Sequence, residues 1–149
     1  MKFVLIALVI LTSSCKNQKG LVVTDESQDN SLTLLVQDGY FFTDSIETSV
    51  VRDEKTLKSF FSRVNRTRKP GLPVPKINFE EEMVLVVCMG EQKTTAMPYL
   101  DLVARDNQKI KVGIAVQNET ETKNTVVSYP FCVYKIPTSE KEIIFKLVN

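Results

Sequence analysis

Residues Met83-Val84-Leu85-Val86-Val87-Cys88-Met89 form an unbroken apolar run that ends at Gly90. The run lacks the polar alternation of a half-wet strand. It has the pattern of a central strand buried on both faces. Other strand signals surround it: Leu32 to Val36, Tyr40 to Phe42, Ser49 to Arg52, Tyr99 to Ala104 and Ile110 to Val116. Thr125 to Tyr129 and Phe131 to Ile136 follow, divided at Pro130, and Ile143 to Val148 is the last. Gln37-Asp38-Gly39 lies between the first two apolar runs and predicts a hairpin turn. Asn118 to Asn124 is polar and predicts a second hairpin tip.

Only one segment carries a clear helical period. Leu57, Phe60, Phe61 and Val64 recur at three- and four-residue spacing, with Asp53 placed as N-cap and Asn65 at the far end. Arg66 to Lys76 contains Pro70, Gly71, Pro73 and Pro75 and must be a loop. One helix and about seven strands, mostly sequential, predict an α+β domain of mainly antiparallel sheet.

The N-terminal residues follow a different logic. Lys2 precedes the apolar stretch Phe3 to Leu11, and the small residues Thr12-Ser13-Ser14 follow. Charge, apolar run and small residues in that order are the secretory pattern. The run is shorter than the roughly 20 residues needed to span a bilayer. Leu11-Thr12-Ser13-Ser14-Cys15 resembles a bacterial lipobox, which makes Cys15 the expected lipidation site. Each buried methylene contributes about 0.8 kcal/mol, so two or three acyl chains anchor firmly where one holds weakly. Residues 16–30 are mostly polar and read as a flexible tether, with Leu21-Val22-Val23 their only apolar cluster. The expected organisation is a signal at 1–14, a lipidated cysteine and tether at 15–30, and one domain at 31–149. The expected location is the bacterial cell envelope, with the protein membrane-anchored and facing the periplasm or the surface.

Charge and composition narrow the chemistry. Loss of Lys2 with the signal leaves 18 basic residues against 18 acidic ones. That balance gives no reason to expect a nucleic-acid partner. The chain has no histidine, so Ser-His-Asp and Cys-His arrangements are excluded. Glu80-Glu81-Glu82 reads as a solvated turn or strand start, because neighbouring strand residues point to opposite faces. Thr56, Lys58 and Ser59 read as the polar face of the helix rather than a Ser-Lys dyad. The five glycines never cluster into a phosphate loop. No metal site or cofactor is expected: beyond Cys15 there are two cysteines, without a CxxC pair. Cys88 and Cys132 form an even pair in an oxidising compartment, which admits a disulfide. Each also lies in an apolar run, where a free cysteine behaves as a small hydrophobe, and spacing alone does not choose between the two. Asn65-Arg66-Thr67 and Asn118-Glu119-Thr120 fit the N-glycosylation sequon, which is uninformative behind such a leader. Asp44-Ser45-Ile46 resembles a bacterial O-glycosylation sequon.

Three segments carry a family resemblance. They are Leu57-x-x-Phe60-Phe61, the stretch from Pro75 through Phe79 and Met83 to Gly90-Glu91, and Ser128-Tyr129-Pro130-Phe131-Cys132-Val133-Tyr134-Lys135-Ile136-Pro137. Together they resemble the PrcB C-terminal domain family, typified by a lipoprotein subunit of a surface protease complex, over residues 54–148. Family members usually have Gly-Gly-Tyr after the loop that follows the long strand. Here Thr94-Thr95-Ala96-Met97-Pro98-Tyr99 keeps only the tyrosine. The resemblance implies a non-catalytic accessory module that binds or stabilises an exported protein, such as a protease. Met97, Pro98 and Tyr99, an apolar cluster in the variable loop from Met89 to Tyr99, are the expected partner contacts. The alternative is a small-molecule or glycan-binding lipoprotein with a pocket lined by Tyr99, Tyr129 and Tyr134.

Overall fold

The computed structural model describes residues 31–117 and 126–148. The signal, Cys15, the tether, the tip from Asn118 to Asn124 with its sequon, and Thr125 lie outside the described residues. The elements in chain order are strand β1 (Thr33–Asp38), strand β2 (Glu47–Val51), helix α1 (Glu54–Val64), a 3-10 turn (Asn65–Thr67), and strands β3 (Glu82–Cys88), β4 (Pro98–Arg105), β5 (Lys109–Val116), β6 (Phe131–Pro137) and β7 (Glu142–Leu147). This is an α+β fold with two sheets, ordered β1-β6-β3-β2 and β4-β5-β7. All pairings are antiparallel except β5 with β7.

The apolar run sits in the middle of the first sheet, and its alternate side chains serve two cores. Met83, Leu85 and Val87 face the second sheet, where Leu100, Ile110, Val112 and Ile114 meet them. Val84, Val86 and Cys88 face α1 and pack with Leu57, Phe61 and Val64. Helix, four-stranded sheet and three-stranded sheet therefore form three layers. A strand in the middle layer has no wet face, which is why its sequence does not alternate.

Helix α1 forms where the period and the cap place it. Asp53 accepts hydrogen bonds from the Thr56 N–H at 2.8 Å and the Thr56 hydroxyl at 2.7 Å. Glu54 in the first turn and Arg63 in the last suit the helix dipole. Lys58 pairs with Glu54 at 2.8 Å, as expected of a polar helix face. The helix ends at Asn65, whose side chain donates to Leu72 O at 2.8 Å and accepts from Leu72 N at 2.7 Å. That reciprocal pair ties the proline-rich loop to the helix and occupies the amide of the Asn65 sequon. Glu80 and Glu81 sit on the exposed turn before β3, and Glu82 opens the strand with a 2.6 Å bond from Lys135.

The hairpin expected at Asp38-Gly39 does not form. β1 pairs with β6, almost a hundred residues away, and Phe41 instead bonds to Tyr129 O at 2.8 Å. The Asp38 carboxylate accepts from Tyr40 N and from the Arg68 guanidinium, so the turn residues are used to stop β1. Nor is the strand order sequential, since β6 inserts between β1 and β3. Of the strand expected before Pro130, Ser128 and Tyr129 make only isolated bridges. The disulfide is also absent: Cys88 and Cys132 are both free and buried. The register pairs Cys132 with Val87 and Cys88 with Phe131, which sends the two thiols to opposite faces of the sheet. Burial pushes each thiol up to about 12.

Candidate functional site

β1 and β3 end at the same pole of the first sheet, where β6 begins. The loops at this pole are laced together by main-chain bonds. Gln92 and Ser128 exchange bonds of 2.8 and 2.9 Å, and Met89 N donates to Pro130 O at 2.9 Å. Gly90 turns the chain out of β3 with φ +68, at a place where a β-carbon would meet the Ser45 backbone at 3.0 Å. The backbone under this pole is thus fixed by bonds between chain segments distant in sequence.

On that support stands an exposed aromatic cluster. Tyr40 is 55% and Phe42 60% exposed, with the Tyr129 ring near both. Tyr129 meets Tyr40 edge-on at 6.1 Å between centroids and Phe42 at 4.9 Å. The Tyr129 hydroxyl donates to Glu91 Oε2 at 3.2 Å. Desolvation raises the Tyr129 pKa first, and the Glu91 hydrogen bond and charge raise it further. Ile46, Val126 and Val127 are also exposed apolar residues on the loops of this pole. A cluster of exposed rings rimmed by polar groups is the kind of surface that proteins use to meet a partner.

The sequence pointed instead to Met97, Pro98 and Tyr99. Pro98 and Tyr99 open β4 rather than lie in a loop, and Pro98 is buried. Pro98 O accepts from Gln37 Nε2 at 2.7 Å, and Met97 O accepts from Gln117 N at 3.3 Å. The Met97 methyl lies 3.1 Å from where a β-carbon on Gly39 would sit. These residues join the two sheets, with Pro98 buried and Met97 and Tyr99 half-buried. The same loop does border the aromatic cluster, through Glu91. Tyr40 and Phe42 went unrecognised because a run of three rings reads as a strand. Yet Phe41 alone is buried, packed on Phe60 and Phe131, and turns its two neighbours outward.

The pocket expected from Tyr99, Tyr129 and Tyr134 is not assembled. Tyr134 is buried between the sheets and Tyr99 packs against that same core, while Tyr129 stands on the pole. The recess beside Tyr40, Phe42 and Arg63 measures only about 70 Å³, well below the size of a small-molecule site. Among the described residues no group of three or more His, Cys, Asp or Glu is placed to hold a metal ion, and no helix is long and apolar enough to cross a membrane. No protein-family model matches the chain, and neither a curated protein nor a solved structure is significantly similar to it.

Proposed function

We propose that this chain is a non-catalytic cell-envelope lipoprotein, acylated at Cys15, that serves as an interaction module for an exported or surface protein such as a protease. The aromatic cluster of Tyr40, Phe42 and Tyr129 carries this reading, and its position relative to the N-terminal side supports it. β1 begins at residue 33 beside Lys135 and ends at Asp38 beside Phe131. Its length of roughly 20 Å separates the point where the tether joins from the aromatic pole. A polar tether of the composition of residues 16–30 would add a root-mean-square reach of about 20 Å. The cluster therefore stands at the end of β1 opposite the tether, within reach of other envelope proteins. The PrcB-like segments agree with this role, as does a chain without histidine.

The test is cross-linking in the native envelope, followed by recovery of the acylated protein. One exported protein should be recovered with it in stoichiometric amount. A Tyr40→Ser/Phe42→Ser double variant should lower that recovery by about tenfold or more, the loss of a hot-spot contact. Equal recovery with the variant would remove the cluster from the interface. Recovery of the lipoprotein alone would favour a soluble ligand instead.

A further inference from the structure

The two sheets have four free edges among the described residues: β1, β2, β4 and β7. Exposed edges present unpaired main-chain donors and acceptors, and proteins guard them with bulges, lysines or prolines. Three of the four edges are guarded. The β1 ladder is broken by a register shift between Leu34 and Val36. β4 begins at Pro98 and carries a shift between Leu102 and Ala104. β7 has Lys146 within its six residues.

β2 has none of these devices. Its sequence Glu-Thr-Ser-Val-Val is rich in strand-forming residues, and its register with β3 is unbroken over all five residues. The only charge is Glu47 at the first position, and Thr48 and Ser49 are exposed. Helix α1 turns back immediately after β2 and runs beside it. Asp53 caps the helix next to Val51, and Arg63 at the other end reaches Glu47 at 3.9 Å. Eleven helical residues span about 16 Å, and five strand residues about the same. The helix therefore overhangs the same face of the sheet along the whole length of β2. Between them lies a groove of about 590 Å³, lined by Ser49, Val51, Thr56, Ser59, Phe60 and Arg63.

We infer that β2 accepts an extended segment of the exported partner as an added strand, seated in the groove against α1. This rests on the interaction-module reading and names a second contact for that partner. Free main-chain groups recognise extended backbone, and a groove between an edge strand and a helix selects side chains at alternate positions. Ser49 and Val51 point to the helix side of the sheet, since their partners Val86 and Val84 belong to that core. A residue facing Val51 and Phe60 should be apolar. At that end the charged Asp53 carboxylate, which accepts from Thr56, and Lys55 offset each other, so no charge preference is set there.

The test places a photo-cross-linking residue at Ser49, at Ser59 or at Phe42 in the full acylated chain, in the native envelope. The inference requires that positions 49 and 59 both join one short segment of the same exported protein, at residues alternating in sequence. A synthetic peptide of that segment, added to the purified full chain, should slow amide exchange at residues 48–50 at least tenfold and leave β7 unchanged. Ser49→Lys, which adds the guard this edge lacks on an exposed position, should abolish the cross-link from position 59. Cross-links from position 42 without any from 49 or 59 would overturn strand addition and leave the aromatic contact standing. Cross-links from 49 and 59 to the chain's own N-terminal residues would give the groove a different occupant and overturn the inference. No cross-link from any of the three would sink the interaction-module reading as well.

Discussion

Gly90 shows how much a single residue decides at the aromatic pole. Its φ of +68 lies in the left-handed region, and a β-carbon there would stand 3.0 Å from the Ser45 carbonyl carbon. Gly90→Ala should therefore destabilise the protein by at least about 1–2 kcal/mol from conformation alone, read from chemical denaturation. A pH dependence is set at two turns. The Thr56 N–H holds the Asp53 carboxyl below its usual range, and the N–H groups of Gln108 and Lys109 do so for Asp106. A lowered native-state pKa means stability that is full above the unfolded value, near pH 4, and lost as pH falls through the native one. The denaturation midpoint should fall below pH 4, and Asp53→Asn, which still caps but does not titrate, should flatten that fall. Asp53 was legible in the sequence because a cap is local chemistry. The fate of Cys88 and Cys132 was not, because the register of β3 with β6 decides which face each thiol takes.

Among the elements, α1 and β3 were the most legible, each for its own reason. The helix announces its buried stripe by period, and Leu57, which is fully buried against β3 and β6, is part of it. Leu57→Ala should cost about 2–5 kcal/mol, measured by urea unfolding. A loss under 1 kcal/mol would mean that α1 is not docked as described. β3 announces burial on both faces by its lack of alternation. Strand pairing is less visible. Asp38-Gly39 marks where β1 ends, but a chain break says nothing of which strand lies alongside, and β1 pairs with β6 rather than with the adjacent segment. The parallel pairing of β5 with β7 was hidden for the same reason, since alternation assigns a face and not a neighbour. The sites divide in the same way. Met97-Pro98-Tyr99 is apolar because it joins two sheets, whereas Tyr40, Phe42 and Tyr129 meet only once the chain has folded.

At the scale of the whole molecule, β1 and β6 have a mechanical property. They are antiparallel neighbours, so each receives its chain from an opposite pole: β1 from residue 31, β6 from Tyr129. A load applied between those two places drags the strands past each other along their axes. The bonds from Thr33↔Lys135 to Asp38↔Phe131 then bear it together. A load between residue 31 and Pro137, which share a pole, would instead open the same ladder one bond at a time. Single-molecule pulling through residues 31 and 129 should therefore require a clearly higher force than pulling through 31 and 137. Equal forces would show that the ladder is not what yields first. If the proposed anchor lies behind residue 31 and the proposed partner grips the aromatic pole, tension between them would load this ladder in shear rather than peel it.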